Sequence, residues 1–312
     1  MKASGIGGQA VIEGVMMKNQ ERYAVAVRKP DGEIEVDIKE YKSSIPEAIK
    51  KLPFVRGIFN FVESMVLGMK TLTYSASFYE EEEEETKLDK AADKVAKGRG
   101  EDLIMTLTVI AAICIALALF VGFPWAVVEL LRKAGLKSEF IAAAVEGVLR
   151  IVLFVGYVLA ISLMKDIQRV FMYHGAEHKC INCVEHGLEL NLENVRKSSK
   201  QHKRCGTSFM LFVMIISIVL FMFVRVSNPW LRLVVRLLLI PVIAGISYEF
   251  IRLAGRSENK IVEILSKPGL WLQNLTTREP EDDMIEVAIA SVEPVFDWQE
   301  FLKENFEENQ EP

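Results

Sequence analysis

The 312-residue chain is poor in cysteine and histidine, with four of each. Four cysteines cannot staple a scaffold of this length, which excludes a disulfide-rich secreted class. Its 10 prolines and 19 glycines are too few for a collagen-like chain. There is no excess of positive charge: 37 basic against 42 acidic residues give a net charge of −5, so nothing global points to nucleic acid. The first hundred residues lack a short apolar core followed by a small-residue cleavage site, so no cleavable signal peptide is expected. No internal repeat is apparent. A length prior of roughly 150 residues per domain suggests about two units.

What the chain does have is segregation. Hydrophobic residues make up 51% and come in long blocks between charged stretches. Leu103–Val128 contains no charged side chain, and as a helix it would exceed the roughly 30 Å of bilayer hydrocarbon. Cys205–Val224 is a second uncharged stretch. Phe140–Met164 is long enough but includes Glu146 and Arg150, spaced i,i+4 so that they can pair on one face. Leu231–Ile251 carries Arg232 and Arg236 near one end and Glu249 near the other. The expected fold is therefore mainly α: a four-helix transmembrane bundle with a small cytosolic N-terminal β-hairpin and an amphipathic interfacial helix.

Orientation follows from Lys and Arg near the span ends. Lys87, Lys90, Lys94, Lys97 and Arg99 precede the first span, and eight basic residues from Lys165 to Arg204 fill the second-to-third connection. Arg252, Arg256, Lys260 and Lys267 follow the fourth. Both termini and the loop 165–208 should be cytosolic, in a multi-pass protein of a bacterial cytoplasmic membrane. Four segments are expected: a β-rich stretch 1–50, an amphipathic helix and acidic linker 51–100, the membrane domain 101–255, and a cytosolic tail 256–312. In the first, Ala24–Arg28, a turn at Pro30-Asp31-Gly32 and the alternating Glu33–Ile38 read as a hairpin. In the second, Val55, Ile58, Phe59, Val62, Val66 and Met69 form one apolar helical stripe, and Glu80–Glu85 reads as a solvated linker. Gly5-Ile6-Gly7-Gly8 lacks the strand and the G-K-[ST] ending of a phosphate loop.

The scarce residues are concentrated. His174, His178, Cys180, Cys183, His186, His202 and Cys205 fall within 32 positions. His174-Gly-Ala-Glu177-His178 fits H-x-x-E-H, in which two histidines one helical turn apart hold a divalent ion and the glutamate acts as general base. Such a site needs a third protein ligand and keeps one position open for water. His202, Cys205 and Glu249 are candidates, because the topology brings all three to the cytosolic membrane face. A competing reading takes Cys180-x2-Cys183 with His202-x2-Cys205 as a four-ligand structural zinc site, closed to substrate.

Four stretches carry a resemblance: Gly7–Lys18 (GGQAVIEGVMMK), Tyr173–Lys179 (YHGAEHK), Arg204–Phe209 (RCGTSF) and Gly269–Pro280 (GLWLQNLTTREP). Together they resemble the YqhQ family of bacterial membrane proteins over nearly the whole chain. The resemblance implies a polytopic membrane protein with a metal site and supplies no substrate. It also implies that His174, Glu177, His178, His202 and Cys205 are the shared constellation, since the Cys180 and Cys183 positions commonly hold other residues.

The sequence thus leads to an integral membrane protein with Zn2+ or another divalent metal at its cytosolic face, acting as a metal-dependent hydrolase with Glu177 as catalytic base. The alternative is a non-catalytic membrane scaffold or assembly factor with a structural zinc. The expected partners are the lipid bilayer and a membrane protein or a second copy of the chain. No nucleic acid and no organic cofactor are expected.

Overall fold

The computed structural model describes residues 2–79, 100–224, 226, 228–257 and 259–307. The glutamate run Glu80–Glu85 and the basic residues from Lys87 to Arg99 lie outside the described residues. The chain divides into two compact units, one drawn from Met1–Tyr79, Tyr157–Ser217 and Ser227–Pro312, the other from Glu80–Gly156 and Ile218–Val226.

The first unit is organised around a four-stranded antiparallel meander in the order β1 (Gly7–Val11), β2 (Gly14–Asn19), β3 (Arg22–Arg28), β4 (Ile34–Glu40). The expected hairpin forms its second half: Ala24 pairs with Ile38 and Arg28 with Ile34, and Gly32 sits in the turn at φ 90°. The first half was not expected. Both faces of this sheet are covered, so the period-2 alternation that marks a half-exposed strand is erased in the run Val15-Met16-Met17. On one face Val15, Met17 and Ala26 pack with Tyr173 and Ile181 of the helix Lys165–Glu185. On the other, Val11, Met16, Val25 and Val27 pack with Leu67.

After the single turn α1 (Glu47–Lys50), α2 (Val55–Ala76) carries the expected apolar stripe, but turned outward. Val55, Phe59, Val62, Val66 and Met69 are exposed, whereas Gly57, Leu67, Gly68, Thr71 and Ser75 are buried. The small residues set the packing. A Cβ at Gly57 would lie 2.7 Å from Tyr248, and one at Gly68 would lie 2.4 Å from Gln9.

Among the described residues, four helices are long and apolar enough to cross a membrane: Thr106–Lys133, Glu139–Ile161, Gly206–Phe223 and Trp230–Ala254. The first consists of α3 (Gly100–Leu117), a π turn at Ala118–Gly122 and α4 (Phe123–Lys133). The others are α5 (Glu139–Ile161), α8 (Gly206–Phe223) and α9 (Pro229–Ala254). Within the second unit, Arg150 donates to Glu146 at 2.6 Å, the i,i+4 pair expected from spacing, and its guanidinium lies 5.1 Å from the Phe221 ring centre.

The chain breaks at Ser162–Met164, so α6 (Lys165–Glu185) is a separate helix and not an extension of α5. Then come α7 (Leu192–Lys197), α10 (Lys260–Thr276), α11 (Asp282–Val292) and α12 (Trp298–Leu302). Trp298 packs against the sheet-side core, and Trp271 is exposed. Gly175 lets the chain beyond α10 cross α6 closely: a Cβ there would lie 2.0 Å from the Arg278 carbonyl oxygen, and the Arg278 N–H donates to Phe171 at 2.9 Å.

Candidate metal centre

Every residue of α6 from Gly175 to Glu185 is buried, although this helix is polar in sequence. Its donors are satisfied by carbonyls from the end of α7 and the loop that follows it. Lys179 donates to the carbonyls of Arg196 and Ser198, both at 2.9 Å, and Asn182 donates to those of Ser199 at 2.6 Å and Gln201 at 2.9 Å. His178 Nδ1 takes the remaining one, Lys200, at 2.6 Å. The loop is thereby wrapped along α6, and this delivers His202 and Cys205 to the helix.

His174 and His178 project from one face of α6 with ring centres 4.4 Å apart. His174 Nδ1 contacts the Thr276 carbonyl at 2.8 Å. A carbonyl only accepts, so in both rings Nδ1 carries the hydrogen and Nε2 is the nitrogen left to take a metal or a second proton. His174 Nε2 lies 3.3 Å from Cys205 Sγ. His174, His178 and Cys205 each offer one ligand atom, and all three atoms lie within 4.8 Å of one another. Glu177 stands beside them, its Oε2 3.8 Å from His174 Nε2. A cavity of about 100 Å³ is lined by these four residues together with Ile6, Gly7, Gly8, Ile181, His202, Arg204 and Gly206.

The electrostatics suit a cation. Burial opposes a charged Cys205, but His174 and His178 hold its thiol well below the usual range. Burial likewise opposes a charged His174, and the Cys205 thiolate offsets this to hold the imidazolium up at about 9. A proton on Nε2 therefore occupies the place a metal would take. Burial pushes the Glu177 carboxyl up, against the pull of His178 and His174 and a hydrogen bond from the Gly8 N–H. Glycine is required at position 8, because a Cβ there would lie 2.7 Å from Glu177 Cγ.

The other candidates are placed elsewhere. His202 lines the cavity, but its Nε2 faces Glu185 at 3.3 Å, and Gln273 brackets its backbone at 2.8 and 2.7 Å. Burial holds His202 below its usual range, and its Nε2 hydrogen-bonds the Glu185 carboxylate. Burial would raise Glu185, yet His202, Arg204 and the Ser4 N–H bring it down to about 2. Glu249 accepts from Arg56 at 2.7 and 2.6 Å and does not join the group. Cys180 is buried in the sheet-side core, and Cys183 Sγ points to the carbonyl of Glu189 at 3.3 Å. Burial pushes both of these thiols up, Cys183 to about 11.

Glu185, Gln273 and Gly8 were missed from sequence. Glu185 had a signal, since it falls seven residues after His178 on the stripe 174, 178, 181, 185. Gly8 had one as well, because it stands in the first shared motif, but a glycine facing a carboxylate has no local pattern.

No solved structure matches the chain. It is 37% identical over 311 residues to the Uncharacterized protein YqhQ of Bacillus subtilis (strain 168), covering 98% of this chain and 95% of that protein. The family described as Protein of unknown function (DUF1385) matches residues 52–298. With this match over most of the chain and the near-full-length identity, and with Gly7 and Gly8, the His/Glu motif and Arg204–Gly206 meeting at one cavity, the chain belongs to the YqhQ family.

Proposed function

We propose that the chain is a multi-pass membrane protein that holds a divalent ion, zinc by ligand type, on His174, His178 and Cys205 and uses it for hydrolysis. One observation carries the reading. A partly buried and a buried imidazole have their Nδ1–H groups tied to backbone carbonyls, so both Nε2 atoms converge with a thiolate, and such outer hydrogen bonds are what orient metal-binding histidines. Two histidines and one cysteine leave the fourth position of a tetrahedral zinc for water. When bound, such an ion supplies the Lewis acidity that brings a water's pKa to about 7. Glu177 is the base. Its carboxylate takes a proton from the attacking water and returns it to the leaving group, while the Gly8 N–H fixes its orientation. The four membrane-length helices and the basic residues flanking them support insertion with both termini and the metal centre on the cytosolic side of a bacterial membrane.

The test is metal analysis of the full chain purified in detergent, where about one zinc per chain is expected from a three-ligand site. His174→Ala and Cys205→Ala should lose the metal. Glu177→Gln should keep both metal and folded yield yet fail to complement a deletion strain. A zinc-free wild type ends the proposal. Full complementation by metal-loaded Glu177→Gln ends the base assignment and leaves the scaffold reading with a structural zinc.

A further inference from the structure

The cavity at the metal centre, about 100 Å³, has room for an ion, a water and one small reacting group. The rest of any substrate must lie in adjoining space. That space is a groove of about 480 Å³ which shares Arg204, Cys205 and Gly206 with the cavity. It runs between α2 and the facing ends of α8 and α9, past Phe61, Met65, Met69, Phe209, Tyr248 and Ile251. Its amide side chains are already engaged: Asn60 donates to the Tyr248 hydroxyl at 2.9 Å, and Gln9 reaches the Gly68 carbonyl at 3.5 Å. Apart from Ser64, and from Arg204 whose guanidinium pairs with Glu185, the lining left over is apolar. Met65 and Met69 are exposed and join the outward apolar side of α2, so the groove opens onto the surface that the membrane reading places against lipid.

We infer that the groove holds the hydrocarbon tail of a membrane amphiphile and presents the ester or amide at its polar end to Cys205 and Glu177. The inference rests on the hydrolase reading for its chemistry but not for its binding step. A hydrocarbon tail has no polar groups to satisfy, whereas an extended peptide brings a donor and an acceptor per residue that this lining cannot meet. A peptide helix about 10 Å across would fill the volume with little more than one turn. The small cavity fits the scissile group alone. In the reaction the water oxygen joins the acyl carbon, and the bond from that carbon to the leaving oxygen or nitrogen breaks. The proton held by Glu177 then moves to the departing alcohol or amine.

The test uses the full chain in detergent with a photoactivatable stearic acid analogue, mapping the cross-linked residues by mass spectrometry. Label is expected on 61–72 and 205–209, with displacement by unlabelled lysophospholipid. Ser64→Phe, which fills the groove away from the metal ligands, should cut the labelling by about tenfold, the factor that 1.4 kcal/mol represents, with zinc content unchanged. Met69→Trp serves the same purpose if Ser64→Phe does not accumulate. Label spread evenly over the outer faces of the apolar helices overturns the inference, as does displacement by an apolar peptide but not by the lysolipid. Zinc bound without groove labelling removes this inference alone. Groove labelling without zinc removes the hydrolase reading and keeps the tail site.

Discussion

Helices α6 and α3 invert the usual relation between polarity and burial. In α6, Glu177, His178, Lys179, Asn182 and Glu185 are all buried. In α3, Leu107, Ile110, Ile113 and Ile115 are all exposed, Ile115 at 67%. Burying charged and amide groups is tolerable only when each finds a partner, and α6 meets that condition through loop carbonyls, Arg204 and His202. Leaving a row of large aliphatic groups uncovered is tolerable only when the surroundings are not water. The pair teaches that, under the membrane reading, the two regions are built for different solvents. α6 takes its solvation from protein dipoles, and α3, under the membrane reading, takes its own from hydrocarbon.

The largest effect is expected where α6 is crossed most closely. Gly175→Val places side-chain atoms on the Arg278 carbonyl, whose backbone cannot move aside. Overpacking typically costs about 1–3 kcal/mol, a 2.0 Å approach to a backbone oxygen exceeds what such repacking absorbs, and folded, detergent-extractable protein should disappear on size-exclusion analysis. Normal yield would mean that the crossing is loose.

Glu185→Ala comes next. Removing one partner of a buried ion pair costs about 4 kcal/mol, so the thermal midpoint should fall while zinc content at low temperature stays near normal. The pH dependence has a definite sign. Because the folded Glu185 carboxyl is held down at about 2, its contribution is complete above the ordinary carboxylate value of 4.5 and is lost as pH falls toward 2. Wild type and variant should therefore differ at pH 7 and converge in acid. A gap that persists at the lowest pH would assign the loss to packing.

Ile115→Asp tests the other side of the comparison, at about 3 kcal/mol for a carboxylate near the middle of a span. The readout is the fraction of chain resistant to alkaline extraction from membranes, which should drop. An unchanged fraction would place α3 out of lipid and dissolve the contrast.

Much of the helical architecture could be read directly, because uncharged runs such as Leu103–Val128 have few alternative explanations. The two histidines were legible because i,i+4 spacing is a local property of a helix. The sheet was only half legible: β4 alternates, but β2 is covered on both sides and looks like any apolar run. For α2, periodicity revealed a stripe without revealing which side faces the protein, and the glycines at 57 and 68 proved to mark the packed face. Among Cys180, Cys183 and Cys205 spacing cannot choose, since the loop 196–201 must first fold back along α6 before Cys205 reaches His174. Glu249 was drawn to the site by topology, while its partner Arg56 lies 193 positions away.

The carbonyl that fixes the His174 tautomer belongs to Thr276, 102 positions further along the chain. During synthesis at about 5–20 residues per second, the H-x-x-E-H segment emerges many seconds before that carbonyl exists. Until α10 has been made and docked, His174 is free to turn either nitrogen toward Cys205. Under the metal reading, capture of an ion in this geometry would be a late event of assembly, and metal occupancy would double as a record that the chain has been completed.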